Sequence, residues 1–558
     1  MRKPGLGRVW CCGFLSGLAL TFFSPLPVSS AEKVYASYGF LELTLLVKDL
    51  ELYANSGRLT PALQTYAKFL KPDQLKNLRQ ILKKRIDLSG EVVAQFLYTP
   101  TGEKLLERAS AIVKSRSSGA NIQALRAAMI LSANTPDGLT ILNMLQYYPD
   151  TGVQLDVAQG IEVFQAIRTL VQQTNTAISL VNQQAEVTAT AAKVAKPQEV
   201  AALRAPGSLS WQVISLALVD KRPERLKISG KVREFNTDIY LPSRVAAQPQ
   251  PIVVISHGLG SGRKSFRYLA EHLASHGYVV AVPEHPGSSS RQFEALLNEK
   301  ASDVSEPTEF LDRPTDVSYL LDELARLNQT DPRFEKRLNL NQVGVIGQSF
   351  GGYTALALIG AKLNFQQAKE SCQSKLSKSL NMSLLLQCQV EKLPEASYSL
   401  QDPRVKAAIA INPIGAAVFG PQGFREINRP LMVISSSSDA IAPPLAEQID
   451  PFTWLPNIEK RLILMNGATH FSVIDEVEPT EKVFVTPKEL IGRTPDLARL
   501  YVRALGLAFF QTHVKQQPKA SILLTPGSIQ LQSTQPLALR GVTSLSVEDL
   551  ERMKNALW

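Results

Sequence analysis

The apolar positions along this chain change period part-way through. From residue 32 to about 150 they recur every three or four positions, as in Leu63, Tyr66, Phe69 and Leu70. After Pro72 the same spacing returns in Leu75, Leu78, Ile81 and Leu82. That period predicts amphipathic helices. Thr60-Pro61 and Thr135-Pro136 each set a capping residue before a proline suited to a first helical turn. A longer helix is predicted over 153–183, with Val157, Ile161, Phe164, Leu170 and Val171 inward. Residues 184–210 turn rich in Ala, Gln and Thr and carry Pro197 and Pro206, the composition of a linker or a surface helix.

From about 211 short apolar runs bounded by turn residues alternate with helical segments. Strands are predicted near 233–242, 251–257, 278–284, 343–348, 405–412, 430–436 and 461–466. Helices are predicted near 264–276, 313–328, 350–361 and 495–512. The helix at 313–328 shows its inward face as Val317, Leu320, Leu321, Leu324 and Leu327. Strands alternating with helices predict a mostly parallel sheet covered on both faces. Residues 515–558 are polar and turn-rich, with one weak helical stretch near 546–557. The expected organisation is an all-α N-terminal domain (32–183), a linker (184–210), an α/β domain (211–514) and a tail (515–558).

The first 31 residues follow a third pattern. Arg2, Lys3 and Arg8 precede an apolar core from Val9 to Phe23, and Ser29-Ser30-Ala31 offers small residues for cleavage. This predicts an export signal and a periplasmic or extracellular protein. The core is short for a membrane span, and an uncleaved anchor is the alternative. Cysteine usage changes that picture little. Without the signal only Cys372 and Cys388 remain. An even pair in an exported chain points to one disulfide, worth about 3 kcal/mol; two free buried thiols are the other reading.

The formal charge is +10, and loss of Arg2, Lys3 and Arg8 lowers it by 3 to +7. The basic residues are dispersed, which argues against nucleic-acid binding and allows mild peripheral attraction to an anionic membrane surface, or only a solvated exterior. Among six histidines none has metal-ligand spacing, and no Cys/His cluster exists. Gly258-x-Gly260-x-Gly262 lacks the full phosphate-binding pattern. No metal and no cofactor are expected.

The chemistry is concentrated in Val343 to Gly352, where an apolar run ends in Gly347-Gln348-Ser349-Phe350-Gly351 and a helical pattern follows. A serine at the apex of a strand–turn–helix is a candidate nucleophile, exposed above the sheet at a helix N-terminus. Gly347 and Gly351 stand where strand and helix approach too closely for a side chain. The serine needs a base, and the base needs an orienting acid. His470 follows the last strand before 495 on the loop Asn466-Gly467-Ala468-Thr469, and Asp439 follows the strand before that one. Both loops belong at the sheet edge that carries Ser349. The order Ser349, Asp439, His470 is that expected of an α/β-hydrolase. Two backbone N–H groups must hold the oxyanion. Phe350 supplies one. Leu259, in the turn His257-Gly258-Leu259-Gly260, supplies the other, with Gly258 and Gly260 allowing the turn and His257 supporting it by hydrogen bonding.

These residues resemble the α/β-hydrolase superfamily over about 225–512. Within it, the His257-Gly258-Leu259-Gly260 turn, the run Tyr278 to His285 and the elbow Gly347 to Gly352 are similar to the platelet-activating-factor acetylhydrolase and dienelactone-hydrolase-like branch. That acetylhydrolase places its acid after the strand that here ends at Asn412. Asp439 followed by Ala-Ile-Ala-Pro looks more like the cutinase-type polyester hydrolases. The whole layout resembles exported bacterial hydrolases whose N-terminal domain has no assigned function. The resemblance implies a serine esterase acting on a small-molecule or lipid ester. The alternatives are a thioesterase, peptidase or polyester hydrolase on the same triad, or a non-catalytic hydrolase-fold binding protein of the cell envelope whose partner is unidentified. Segments 286–312 and 362–400 interrupt the alternation and are expected to rim the site. In the second, Leu384-Leu385-Leu386 either faces a lipid or is buried.

Overall fold

A computed structural model describes residues 30–38, 41–68, 71–86, 88–243, 248–375, 381–475, 491–492 and 494–555. The expected signal at 1–31 lies almost wholly outside these residues. Among the described residues no helix is long and apolar enough to cross a membrane.

The N-terminal region is not all-α. Strands β1 (Lys33–Tyr38), β2 (Leu41–Leu46), β3 (Val113–Ser115) and β4 (Gly152–Asp156) form a four-stranded sheet in the order β2-β1-β4-β3. β1 pairs antiparallel with β2 and parallel with β4, Lys33 opposite Gly152. Pairing between segments this far apart leaves no local period to read. Short helices surround the sheet, and Leu50, Tyr53, Leu97, Leu106, Leu125 and Val153 share its core. Thr60 caps the helix Pro61–Ala67 through the Leu63 N–H, as its Thr-Pro pair predicts. Thr135-Pro136 starts no helix; the next one, Ile141–Gln146, is capped by Thr140.

The helix expected over 153–183 runs from Val157 to Ala191. Its inward face lies further along than predicted. Val171 is 49% exposed, whereas Ala177, Val181 and Ala185 enter the core of the larger sheet. The alanines let that helix sit close. A six-residue helix, Pro197–Ala202, occupies part of the expected linker.

Nine strands form the larger sheet: β5 (Trp211–Asp220), β6 (Arg233–Pro242), β7 (Gln250–Ser256), β8 (Val279–Pro283), β9 (Leu338–Gln348), β10 (Val405–Ile411), β11 (Leu431–Ser436), β12 (Lys460–Met465) and β13 (Leu539–Val542). Their order is β13-β12-β11-β10-β9-β7-β8-β6-β5. β7 to β12 run parallel, and β6 and the edge strands β5 and β13 pair antiparallel. Seven strands stand where the pattern predicts them. β5 and β13 do not. β5 alternates buried and exposed positions at an edge, and β13 lies in the expected tail, which instead closes the sheet beside β12. The central strands are buried on both faces. Val343 and Val345 pack with the helices Glu309–Thr330 and Phe350–Leu358. Ile346 faces the other way, toward Arg267–Ser275 and Pro495–His513. This two-sided cover makes the C-terminal edge of the parallel strands the open end of the fold.

Candidate active site

Ser349 sits at that edge, between β9 and the helix Phe350–Leu358. Its backbone is held at φ 55°, ψ −115°, a conformation L-residues rarely adopt. The two flanking glycines explain how the chain fits there. A Cβ on Gly347 would lie 2.0 Å from Gly351 O, and one on Gly351 would lie 1.9 Å from Ser256 O. Neither contact is with a flexible atom. Gly351→Ala is therefore expected to lower stability by at least about 3 kcal/mol, read in a thermal melt of the purified protein.

Asp439 follows β11 and His470 follows β12. Asp439 Oδ2 lies 2.6 Å from His470 Nδ1, and Asp439 Oδ1 accepts from Ile441 N at 2.9 Å and Ala442 N at 2.8 Å. The loop N–H groups thus hold the carboxylate against the ring. The main chain of His470 is fixed from the serine side: its carbonyl accepts from Gln348 Nε2 at 3.1 Å and Asn412 Nδ2 at 3.3 Å. Asn412, at φ 43°, also accepts from Ser436 N at 2.8 Å. It is a bracket between β10, β11 and the histidine loop, and it carries no charge. Ser349, Asp439 and His470 are all buried, at 7%, 5% and 3% exposed.

The His257–Gly260 turn, the expected oxyanion turn, comes up beside Ser349. A Cβ on Gly258 would lie 3.4 Å from Ser349 Cβ and 2.3 Å from Gln348 Oε1, so a side chain there would displace the Gln348 amide that holds the His470 carbonyl. Gly260 takes φ 70°, and its α-carbon faces the Phe293 ring. Leu259 N–H has no acceptor among the described residues. Phe350 opens its helix, where N–H groups lack intrahelical acceptors. His257 is wholly buried. Its Nε2 accepts from His285 N at 3.0 Å, so its proton sits on Nδ1 and goes to Gly258 O at 2.8 Å. Burial first, then Arg313 and His285, holds it well below the usual value of 6.5.

Segments 286–312 and 362–400 meet this edge. Phe293 of the first packs on Gly260. In the second, Ser383 N donates to Ile441 O at 2.9 Å, beside Asp439. Cys372 and Cys388 are joined in a disulfide, and Leu384, Leu385 and Leu386 are buried. Glu447, buried and with its carboxyl raised by desolvation, accepts from Asn381, Ser383 and Gln387 and from the N–H groups of Gly415 and Ala416. It ties this segment to the loop after β10. Gln389 reaches Thr101 of the N-terminal region at 3.2 Å and Asp303 at 3.2 Å, so that region contacts both segments.

One constellation escapes sequence reading. Ser256 Oγ lies 3.0 Å from His285 Nε2, and His285 Nδ1 lies 2.9 Å from Asp316 Oδ2. This repeats the residue types of a serine-protease triad, but all three are 0% exposed. Asp316 in turn pairs with Arg225 at 2.7 Å and Arg233 at 2.9 Å. It is an anchor under the oxyanion turn, not a second reacting serine. Burial first, then Arg313, Arg233 and Arg225, keeps His285 well below 6.5. A histidine with a lowered folded value binds its proton more readily when unfolded. Its contribution is therefore complete above 6.5 and is withdrawn as pH falls below it, by up to about 1.4 kcal/mol per pH unit. Glu447 and Asp312, raised by burial, act in the opposite sense from 4.5 and 3.8 upward. The difference between proteins isolates the histidine: His285→Gln should melt lower, and with a shallower loss of stability between pH 6.5 and 5, than the unaltered chain.

Sheet, helices and a strained serine at a strand–helix turn make up an α/β-hydrolase fold. Residues 30–156 match the family model described as "Alpha/beta hydrolase of unknown function (DUF1400)", and residues 231–318 match "Platelet-activating factor acetylhydrolase, isoform II". Over 297 residues the chain is 22% identical to a platelet-activating factor acetylhydrolase of Cavia porcellus, covering 47% of this chain and 57% of that protein. Over 276 residues it is 24% identical to the Bos taurus protein of the same name, covering 48% and 58%. The match thus spans little more than half the length of these relatives. The resemblance is to hydrolases of the esterase and lipase type.

Proposed function

We propose that this protein is an exported serine hydrolase of carboxylic esters, lipid acyl esters included. The observation that carries the reading is the short Asp439–His470 contact, with the His470 carbonyl bonded to Gln348, the residue before a serine held at positive φ at a helix N-terminus. His470 Nδ1–H points to Asp439, which leaves Nε2 as a base for the Ser349 hydroxyl. As Oγ attacks the ester carbonyl, the proton passes to Nε2 and the imidazolium is stabilised by the Asp439 carboxylate. Leu259 and Phe350 N–H groups receive the oxyanion. His470 then protonates the departing alkoxide, an acyl-serine remains, and water activated by the same histidine hydrolyses it. No metal or cofactor enters these steps.

The relatives' name supports an ester of a phospholipid as the substrate class. The test is labelling of the purified chain by a fluorophosphonate, with turnover of a short-chain nitrophenyl ester and of a phospholipid carrying a short acyl ester. Label and turnover lost together in Ser349→Ala are the expected result. A rate jump as the phospholipid passes its micellar concentration would favour an interfacial lipase. A folded protein that takes no label would sink the reading.

A further inference from the structure

Arg313 is another residue beside this site that neither motif nor spacing singles out. It lies in the first turns of the helix Glu309–Thr330 and is 0% exposed. Its Nη1 donates to His257 O at 2.7 Å and its Nη2 to Gly258 O at 3.4 Å. The same guanidinium lies 4.3 Å above the centroid of the Phe350 ring. One side chain therefore touches both segments that present the oxyanion donors: the turn before Leu259 and the residue after Ser349.

The geometry of the peptide unit gives this contact its consequence. A trans peptide holds C=O and N–H in one plane and pointing oppositely. The Gly258 carbonyl is drawn toward Arg313 Nη2 and His257 Nδ1. The Leu259 N–H of that same peptide must point away from them, and it has no protein acceptor among the described residues. The Phe350 ring, packed under the guanidinium, fixes the start of the helix that carries the second N–H. Arg313 is itself held in place. Its Nε donates to Ser288 Oγ at 2.8 Å and lies 3.5 Å from Glu309 Oε2. Burial lowers the guanidinium only to about 10, so it stays charged at neutral pH.

We propose that Arg313 is the positioning residue of the oxyanion hole, aligning the Leu259 and Phe350 N–H groups by gripping the His257 and Gly258 carbonyls and stacking on Phe350. This rests on the serine-hydrolase reading above. Arg313 touches neither substrate nor reacting atoms; it acts through the two donors. A donor pair out of register binds the planar ester almost as well as before but stabilises the tetrahedral oxyanion poorly.

The test compares the unaltered chain with Arg313→Lys and Arg313→Gln. Four quantities are read: kcat and KM on a short-chain nitrophenyl ester, affinity for a trifluoromethyl ketone that forms a tetrahedral adduct with the serine, and the thermal midpoint. Arg313→Gln should lower kcat about 100-fold and weaken the ketone by a similar factor, with KM within about threefold. Arg313→Lys keeps the charge but loses the fork and the stacking plane, and should recover only part of the loss. Ser288→Ala removes the Nε anchor together with the hydroxyl's bond to Glu309, and should lower kcat by a smaller factor at constant KM. It carries the test if the Arg313 variants fail to fold. Folded variants with unchanged kcat and ketone affinity overturn the proposal, as does a loss confined to KM or to the thermal midpoint. An unaltered chain that neither labels with fluorophosphonate nor turns over overturns the hydrolase reading itself, which separates the two failures.

Discussion

Asp439→Asn should lower kcat on a short-chain ester by about ten-thousand-fold while leaving the fold intact. The asparagine oxygen still accepts from Ile441 and Ala442 N–H, so the loop keeps its shape. Its amide nitrogen, however, would face His470 Nδ1 across the present 2.6 Å contact. That favours the tautomer with the proton on Nε2, which has no lone pair to accept the serine proton. Adding Asn412→Asp should restore nothing, although Asn412 follows the strand where the acetylhydrolase resemblance puts the acid. Asn412 Nδ2 already serves His470 O, and its Oδ1 serves Ser436 N. An aspartate there would set a second acceptor against a carbonyl. Turnover and fluorophosphonate labelling rates of the single and double variants decide it. A double variant regaining wild-type rate would move the acid to 412.

Arg225→Met should cost about 3–5 kcal/mol of stability, more than other side-chain truncations at comparable depth. The guanidinium is 0% exposed and lies 3.0 Å from Asp220, 2.5 Å from Asp312 and 2.7 Å from Asp316. Removal leaves these carboxylates unequally provided for. Asp220 keeps Arg222 at 2.9 Å, and Asp316 keeps Arg233 at 2.9 Å. Among the described residues Asp312 keeps only the Arg233 ion pair, at 3.9 Å. Desolvation and the neighbouring Glu309 and Asp316 already raise its carboxyl above the usual range. Without Arg225 it must take up a proton or stay charged in an apolar surround. Urea unfolding at pH 7 should show a lower midpoint at unchanged slope, and the deficit should shrink as pH falls and Asp312 is protonated. A variant as stable as the parent would show that the cluster holds the oxyanion turn in place without adding to global stability.

Much of the sheet is legible in the chain because each central strand is buried on both faces and reads as an uninterrupted apolar run. The small N-terminal sheet is not. β1 finds β4 across more than a hundred residues, and β3 has only three residues. β13 hides in a polar tail because a four-residue edge strand needs few apolar side chains. The candidate site divides the same way. Ser349 announces itself through glycines that backbone contact demands, and Asp439 and His470 through their places after successive strands. Ser256, His285 and Asp316 have the same residue types but no such frame.

The positions of the central strands, the strand–turn–helix at Ser349 and the placement of Asp439 and His470 after successive strands are thus determined by the sequence alone, because each depends on local period or on position relative to a neighbouring strand. Tertiary structure decides which histidine meets Asp439. His470 lies 2.6 Å from that carboxylate, while His257 and His285 are wholly buried and held neutral by burial and by the arginines beside them. It also decides that Arg313, more than thirty residues before the serine, grips the turn before Leu259 and stacks on Phe350. These roles arise from burial and from contacts between distant segments, quantities that no single stretch of chain contains.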